Sequence, residues 1–521
     1  MSTRPSSNGL YPSAWLIFLI SALVSLWKVV ARPVVNTDGV LYFIAAENIL
    51  ESGMSASFAV YQWPFFQMLL AAFHWLSGLP LLYSAHLLMS LCFALLVVAF
   101  CRIVRLMGGD NRTVFFAFLV IICHTVINDL RPIIIRDPGM LAFLLLALSE
   151  QIRFAITPRW RYAIRWGIYV LIALLFRVEA FAIATLAPFA MLTLVRHALR
   201  ERILLALKLY TLPALAGILG ALAAAVFSVN ELGEFKLFHD LGFMLQQSLH
   251  LAGGFSERAR IIEEQILLEF SAKDATWAMM GMAFAITLVN VLRAITLPYV
   301  LALLGILCRP FTMEIDPRAR NIIIFNALII TSYLFSFSLF AHFNLDRYCL
   351  QFAVLALLPL PFALAHWWQR AAALFPVRAL IVLLFTASAL DSLISSDYKK
   401  VYIRDAASWA RENSAIAAGS LRSNEPYIGY FSTKEPRDAV LTTINPARLD
   451  PQDTSRAHWL SGTVYAQRVR DGADLKLLHE DIANAQGAIL KEFPGGDGRS
   501  VVVFTAGRDT PRSELFVESR S

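Results

Sequence analysis

The sequence predicts a polytopic α-helical membrane protein: about eleven transmembrane helices, helices lying in the outer interface, and a small soluble α/β domain towards the carboxyl end. Three observations carry this. Hydrophobic residues make up 58% of the 521 and charged residues 16%, against ~45–50% and about 25% in soluble proteins. The apolar residues gather into runs near the ~20 residues that a bilayer core requires of a helix. The basic residues fall in alternate loops between those runs. Mean hydropathy is +0.60, which excludes a disordered chain, a collagen-like chain and an ordinary cytosolic enzyme. The net charge of +7 belongs to loop topology and gives no ground for a nucleic-acid partner.

The spans read as 14–32, 81–104, 113–130, 138–154, 163–176, 180–197, 203–228, 286–308, 321–341, 348–369 and 377–395. The run 163–176 is short and needs tilt or local thinning. The first run is too long for a signal peptide and reads as a retained signal anchor. One set of loops holds Arg102, Arg105 and Arg112, then Arg153, Arg159, Arg161 and Arg165, then Arg196, Arg200, Arg202 and Lys208, then Arg309, Arg318 and Arg320, then Arg370 and Arg378. These loops are expected to be cytoplasmic. The opposite loop 33–80 has no Lys or Arg. The expected orientation is an amino terminus inside and a carboxyl-terminal domain outside.

Segment 63–79 would invert every later loop if it crossed the membrane, so it reads as an amphipathic helix in the outer interface. Two larger pieces lie outside the bilayer. The loop 229–285 contains SERARIIEEQILLEF, with Ile261, Ile262, Ile266, Leu267 and Phe270 on one face of a surface helix. The tail 397–521 has no run long enough to span. It reads as a helix (DAASWAREN), strands (EPYIGYF, AVLTTI, GAILKEF, SVVVFTA) and the turn FPGGDGRS. The chain thus divides into a membrane domain, 1–396, and a soluble domain, 397–521. The five cysteines lie in apolar runs without metal or redox spacing and read as small core residues. His74, His86, His124, His239, His250 and His342 are isolated and read as core or interface residues.

Ionisable residues at membrane depth cost about 2.5–3.5 kcal/mol each on insertion scales and mark functional sites by default. Here they collect on the outer side: Asp38; Asp129, Arg131, Arg136 and Asp137; Arg177 and Glu179; Asp346 and Arg347. Each has a plainer reading. Asp38 or Thr37 could cap a helix, the arginines could snorkel, and Arg177–Glu179 or Arg136–Asp137 could be structural pairs. Glu47 and Glu51 read as a solvated helix face. Taken jointly, the arginines suit a lipid phosphate or diphosphate, and a nearby carboxylate suits a general base acting on a hydroxyl. Together they describe transfer of a group from a phospholipid-like carrier to an alcohol. A phosphate leaves readily once its charge is stabilised, so one base with arginines is sufficient. Outside the cell the donor must be carried by lipid.

These residues resemble the membrane glycosyltransferases of the GT-C class that use polyprenyl-phosphate sugars, the lipid A aminoarabinose transferases and protein O-mannosyltransferases above all. The resemblance runs over roughly residues 14–395. It rests on TDGVLYFIAAENIL for the acidic first loop, YQWPFFQMLLAAFHWLSG for the interface helix and RDPGMLAFLLLALSE for the second acid. ALLFRVEAFAIATLAPF matches the tight charged turn and DRYCLQFAVLALLPL the late RY. It implies that Asp38 is the catalytic acid of the first loop, Asp137 the second acid and Arg347 a phosphate-binding residue. Two departures stand out. Gly39 occupies a place where many members carry a second acid. Arg177 with Glu179 stands where many aminoarabinose transferases have lysine, which counts against the aminoarabinose substrate more than against the class.

The expectation is a bacterial inner-membrane glycosyltransferase with a periplasmic active site, moving a sugar from a polyprenyl-phosphate donor to a hydroxyl of lipid A or lipopolysaccharide, a polysaccharide or a protein, with inversion. Asp38 is the expected base and Asp137 orients a substrate or helps bind a metal. Arg131, Arg136, Arg177 and Arg347 hold the phosphate. Tyr42, Trp63, Glu179 and Asp129 contact the sugar or acceptor. A divalent metal fits converging carboxylates, but no ligand spacing defines one. The rivals are a transporter or lipid flippase, a non-catalytic envelope assembly protein that uses the tail for binding, and a ligase of preassembled glycans.

Overall fold

The computed structural model of the chain describes residues 13–32, 34–61, 63–194, 198–226, 251–267, 269–308, 315–341, 343–370, 375–393, 400–413, 421–432, 458–459, 463–507 and 510–511. The expected strand AVLTTI and His239, His250 and His342 lie outside these residues, as does much of the loop 229–285.

Helices account for most of the chain. They are α1 (Ala14–Val30), α2 (Thr37–Ser52), α3 (Met54–Val60), α4 (Phe65–Ser77), α5 (Leu81–Leu106), α6 (Asn111–Ile122), α7 (Thr125–Leu130), α8 (Asp137–Ile156), α9 (Trp160–Phe176) and α10 (Ala180–Leu186), which runs on as a 3-10 turn over Ala187–Thr193. Then come α11 (Leu199–Val226), α12 (Leu251–Gln265), α13 (Ala275–Ile295), α14 (Leu297–Cys308), α15 (Pro317–Ala341), α16 (Asp346–Ala356), α17 (Leu360–Arg370) and α18 (Phe375–Leu393).

Every expected span coincides with helix, but several are interrupted. By length and composition, five of the described helices can cross a membrane, or six if α16 and α17, bent by 51°, form one span. The breaks have local causes. His124 interrupts the run 113–130: it accepts the Ile127 N–H at Nδ1, 3.3 Å, and so caps a new helix, α7. Pro298 sits in the first turn of α14, where a missing N–H is tolerated best, and the expected span 286–308 resolves there into α13 and α14, with Thr296 between them at φ 73°. Pro359 and Pro361 account for the α16–α17 bend. Helix α13 also starts inside the stretch expected to be outer loop. Of the cysteines, Cys92, Cys101, Cys123 and Cys349 are buried as expected, whereas Cys308 is exposed.

The chain separates into two compact units. One comprises Met1–Leu26, Leu87–Arg131 and Ile135–Leu393; the other comprises Trp27–His86, Pro132–Ile134 and Ile394–Ser521. The second therefore groups the first loop with the tail, across the sequence boundary at 396.

In the first unit, α8 and α9 form a hairpin, and polar ties join α8 to its other neighbours. Glu150 is fully buried and accepts from Arg102 and Arg153. Gln151 donates to the Ala187 carbonyl at 2.6 Å and accepts from Asn326 of α15 at 3.1 Å.

In the second unit, the tail holds α19 (Val401–Glu412), α20 (Pro426–Ser432) and α21 (Gly472–Asn484), with β1 (Leu421–Ser423), β2 (His458–Trp459), β3 (Val464–Val469), β4 (Ala488–Pro494), β5 (Ser500–Thr505) and β6 (Thr510–Pro511). The main sheet has the order β1-β3-β5-β4, with β1 and β3 parallel and the other pairs antiparallel. Its faces follow from the two-residue period of a strand. Val501 and Val503 of β5 join a core with Tyr402, Ile403 and Ile428, while Val502 and Phe504 join another with Leu478 and Ile482. The expected strands GAILKEF and SVVVFTA are β4 and β5, and the turn between them contains Gly498 at φ 74°. The expected strand EPYIGYF is instead the helix α20. The rings of Tyr427 and Phe431, four residues apart, meet at a tilt with centroids 4.4 Å apart on one helix face, a pairing that helical spacing favours.

Candidate functional site

In the first unit, the charged residues expected at a site converge around Arg177. Asp137 opens α8, followed by Pro138. A carboxylate there is favoured by the helix dipole, and proline by the lack of any N–H to satisfy. Gly139 follows, and a Cβ on it would run into the ring of Phe176. Glycine therefore lets Phe176, the last residue of α9, lie against the first turn of α8. The next residue, Arg177, leaves the helix in extended conformation at φ −154° and ψ 139°.

Its guanidinium is divided between two acids. Nη1 donates to Asp137 Oδ1 at 2.7 Å. Nε donates to Glu179 Oε1 at 3.0 Å, and Nη2 donates to the same oxygen. The three side chains are only 12–13% exposed. Burial alone would lower the Arg177 pKa, but the charges of Asp137 and Glu179 hold it well above its ordinary value. Burial alone would raise Glu179, but Arg177 first, with Arg136 adding to it, holds that carboxyl below the ordinary range. Both groups are thus ionised.

A third element joins through an aromatic ring. The Arg177 guanidinium lies 4.9 Å from the centroid of the Tyr348 ring, and that of Arg347 lies 5.1 Å from it. Arg347 Nη2 also donates to the Tyr348 hydroxyl at 3.3 Å. One π-system therefore holds two guanidinium groups near each other, which cation–π attraction favours. Asp346 accepts the Arg347 N–H at 2.7 Å and fixes the start of α16. Tyr333 of α15 lies within the electrostatic reach of Glu179, Arg177, Tyr348 and Asp137. Tyr348 and Tyr333 were absent from the expected site. Tyr348 had a signal in the RY of DRYCL; Tyr333, within a continuous apolar run, had none.

Arg131 stands elsewhere. It is completely buried. Its Nη1 donates to the Ser21 carbonyl (2.9 Å), Ser21 Oγ (3.1 Å) and Ser25 Oγ (2.6 Å), its Nε donates to Asn128 Oδ1 (2.6 Å), and its guanidinium lies 5.1 Å from the centroid of the Phe93 ring. It ties the first span to α5 and α7. Asp129, on α7, is exposed, and Arg136 is half-buried.

In the second unit, Asp38 lies half-buried in the first turn of α2. The capping position is Asn36, whose side chain makes no capping bond. Its amide is engaged with Ile134 instead: Nδ2 donates to the Ile134 carbonyl at 3.0 Å and Oδ1 accepts the Ile134 N–H at 2.9 Å. Close packing dictates glycine at position 39. A Cβ there would sit 2.7 Å from Val35 Cγ1 and 3.1 Å from Ile134 Cβ. Tyr42 and Trp63 are buried. Tyr42 packs edge-on against Tyr61 at 5.3 Å and Phe66 at 4.9 Å, in the core of the first loop. Glu51 is exposed, as a solvated face requires, but Glu47 is half-buried and accepts a bond from Tyr430.

Among the described residues, no three His, Cys, Asp or Glu side chains are grouped as a metal site would need.

No family model and no curated protein matches the chain; solved structures do. ArnT from Cupriavidus metallidurans in the apo state matches with a TM-score of 0.53 at 13% identity, over 94% of this chain and 97% of that one. The same protein bound to undecaprenyl phosphate gives 0.52 at 14% identity over the same shares. The Archaeoglobus fulgidus oligosaccharyltransferase matches at a TM-score of 0.45 and 14% identity over 77% of this chain. This chain covers 58% of that larger protein. The fold is thus the one seen in ArnT, a GT-C glycosyltransferase.

Proposed function

We propose that the chain is a membrane glycosyltransferase that moves a sugar from a polyprenyl-phosphate donor to a hydroxyl of a cell-envelope acceptor: lipopolysaccharide or lipid A, a polysaccharide, or a protein. The observation that carries this is the buried Arg177–Asp137–Glu179 cluster with Arg347 across Tyr348, on a fold shared with a protein solved with undecaprenyl phosphate. The alternating basic loops support a bacterial inner membrane with the reaction on the periplasmic side.

Asp38 acts as general base. It takes the acceptor's hydroxyl proton as the oxygen bonds to the anomeric carbon from the face opposite the phosphate. The carbon–oxygen bond to the phosphate breaks, and its electron pair leaves with the polyprenyl phosphate, giving inversion. Arg136 and Arg347 neutralise the charge gathering on that phosphate. Arg177, already matched by two acids, holds Asp137 and Glu179 in place, and Asp137 orients a substrate hydroxyl. Tyr42, packed on two sides by other rings, serves the fold of the first loop.

Lipid analysis of a deletion strain tests the reading. The expected result is accumulation of an unconsumed sugar-phosphate lipid, reversed by the native chain but not by Asp38→Asn in a folded, membrane-inserted protein. Unchanged carrier lipids and envelope glycans would overturn it. Full complementation by Asp38→Asn would remove the assigned base and favour transport or assembly instead.

A further inference from the structure

We infer that the soluble tail is a positioning element for Asp38, acting through the hydrogen bond between Tyr430 of α20 and Glu47 of α2. This rests on Asp38 being the base.

Helix α2 is held at both ends within the second unit. At its start, the two bonds between Asn36 and Ile134, with the glycine-only approach at Gly39, fix the turn that carries Asp38. Nine residues on, ~13 Å along a helix, the Tyr430 hydroxyl donates to Glu47 Oε1 at 2.5 Å. The Tyr430 ring also packs against Phe43 at 5.7 Å between centroids, and Phe43 is 1% exposed. Burial pushes the Tyr430 phenol upward, and the Glu47 charge adds to it, so the hydroxyl stays a donor. Tyr430 is braced in turn by Phe431 at 4.9 Å, and Ile428 of the same helix lies in the sheet core. Rigid contacts thus run from the tail sheet through α20 into α2, whose Val40, Ile44 and Ala45 are buried. Without the hold at Glu47 the helix would tilt as a rod about its start and turn the first-turn side chain of Asp38 with it, and a base displaced by ~1 Å loses on the order of 100-fold in rate.

The test uses the full chain, with three readouts. Complementation of the deletion strain reports turnover. Binding of undecaprenyl phosphate to the detergent-solubilised protein reports the phosphate site. Hydrogen exchange over residues 37–42 reports the seating of the helix. In Tyr430→Phe and Glu47→Ala, turnover should fall roughly tenfold or more, the scale expected when a hydrogen bond to a charged group is lost. Exchange at 37–42 should rise, while undecaprenyl phosphate binding stays within about twofold of the native chain. Glu47→Gln keeps the acceptor oxygen and should restore turnover and protection. Native complementation by Tyr430→Phe, or unchanged exchange at 37–42, would overturn the inference. So would failure of Glu47→Gln to exceed Glu47→Ala; should Glu47→Ala not fold, Tyr430→Phe and Glu47→Gln decide alone. If Asp38→Asn complements fully, the reading of the base fails separately, and the exchange measurement still judges the seating of the helix.

Discussion

Arg177 donates to Asp137 across a gap of 40 residues in sequence, at 2.7 Å, while the rest of its guanidinium fork engages Glu179 two residues away. One cation thus fixes the relative placement of two acids. The three sum to a single negative charge, and Arg136 and Arg347 lie near enough to offset it. With Asp346 beside Arg347, three arginines face three acids, and Arg177 is the one whose ion pairs hold the buried carboxylates of Asp137 and Glu179.

Replacing Arg177 should be costly. Arg177→Ala leaves two buried carboxylates without their partner, a loss of about 3–5 kcal/mol for breaking a buried pair. Arg177→Lys keeps the charge but not the fork, and should fall between it and the native chain. Thermal unfolding of the detergent-solubilised protein checks the order; equal midpoints for all three would contradict the cluster's role.

The cluster also predicts an acid limit. Glu179 is held below its ordinary value of 4.5 by Arg177. A depressed carboxyl pKa contributes stability that is fully present above the unfolded value and is lost as pH falls through the folded one. The unfolding midpoint should therefore be insensitive to this group from neutral pH to about 5, then fall below about pH 4.5. The fall should be shallower in Glu179→Gln. Superimposable pH curves for the two proteins would refute the assignment.

Gly39 should tolerate no side chain. Gly39→Ala places a methyl against Val35 and Ile134 and should cost about 1–3 kcal/mol through overpacking. Gly39→Asp adds a larger, charged side chain at the same place and should lose stability and transfer together. Unfolding midpoints and complementation measure both; a native-like Gly39→Asp chain would show that Val35 and Ile134 yield.

Arg131 should behave as a structural residue. Among the described residues no carboxylate offsets its charge, so Arg131→Met, which keeps volume and removes a buried cation, should stay within about 2 kcal/mol of native stability. Arg131→Ala also leaves a cavity and should cost about 2–4 kcal/mol. Undecaprenyl phosphate binding should be unchanged in both. A large drop in binding by a stable Arg131→Met protein would return this residue to the phosphate site.

Features set by local pattern were readable in the sequence. Apolar runs located the helices, including the interface segment that is α4, and alternation located β4 and β5. The charged turn at 177–179 was visible because charge in an apolar run is rare. Breaks inside runs were missed, although Pro298, Pro359 and Pro361 signalled two of them. The segment of α20 reads as a strand because its aromatic residues suit a sheet; their spacing of four is the better clue. The inward turn of Arg131 depends on Ser21 and Ser25, which sit one helical turn apart in an apolar run and gave a weak signal. No local pattern could reveal that Tyr430 meets Glu47, because that contact spans 383 residues.

The unit containing Asp38 is assembled from stretches at widely separated places along the chain. Its first stretch leaves the ribosome long before residues after 393 exist. Insertion of the intervening helices must therefore proceed while α2 lacks its final neighbour, and closure of such distant contacts is slow. The nascent protein should therefore acquire the final geometry of α2 last, after synthesis has passed residue 393.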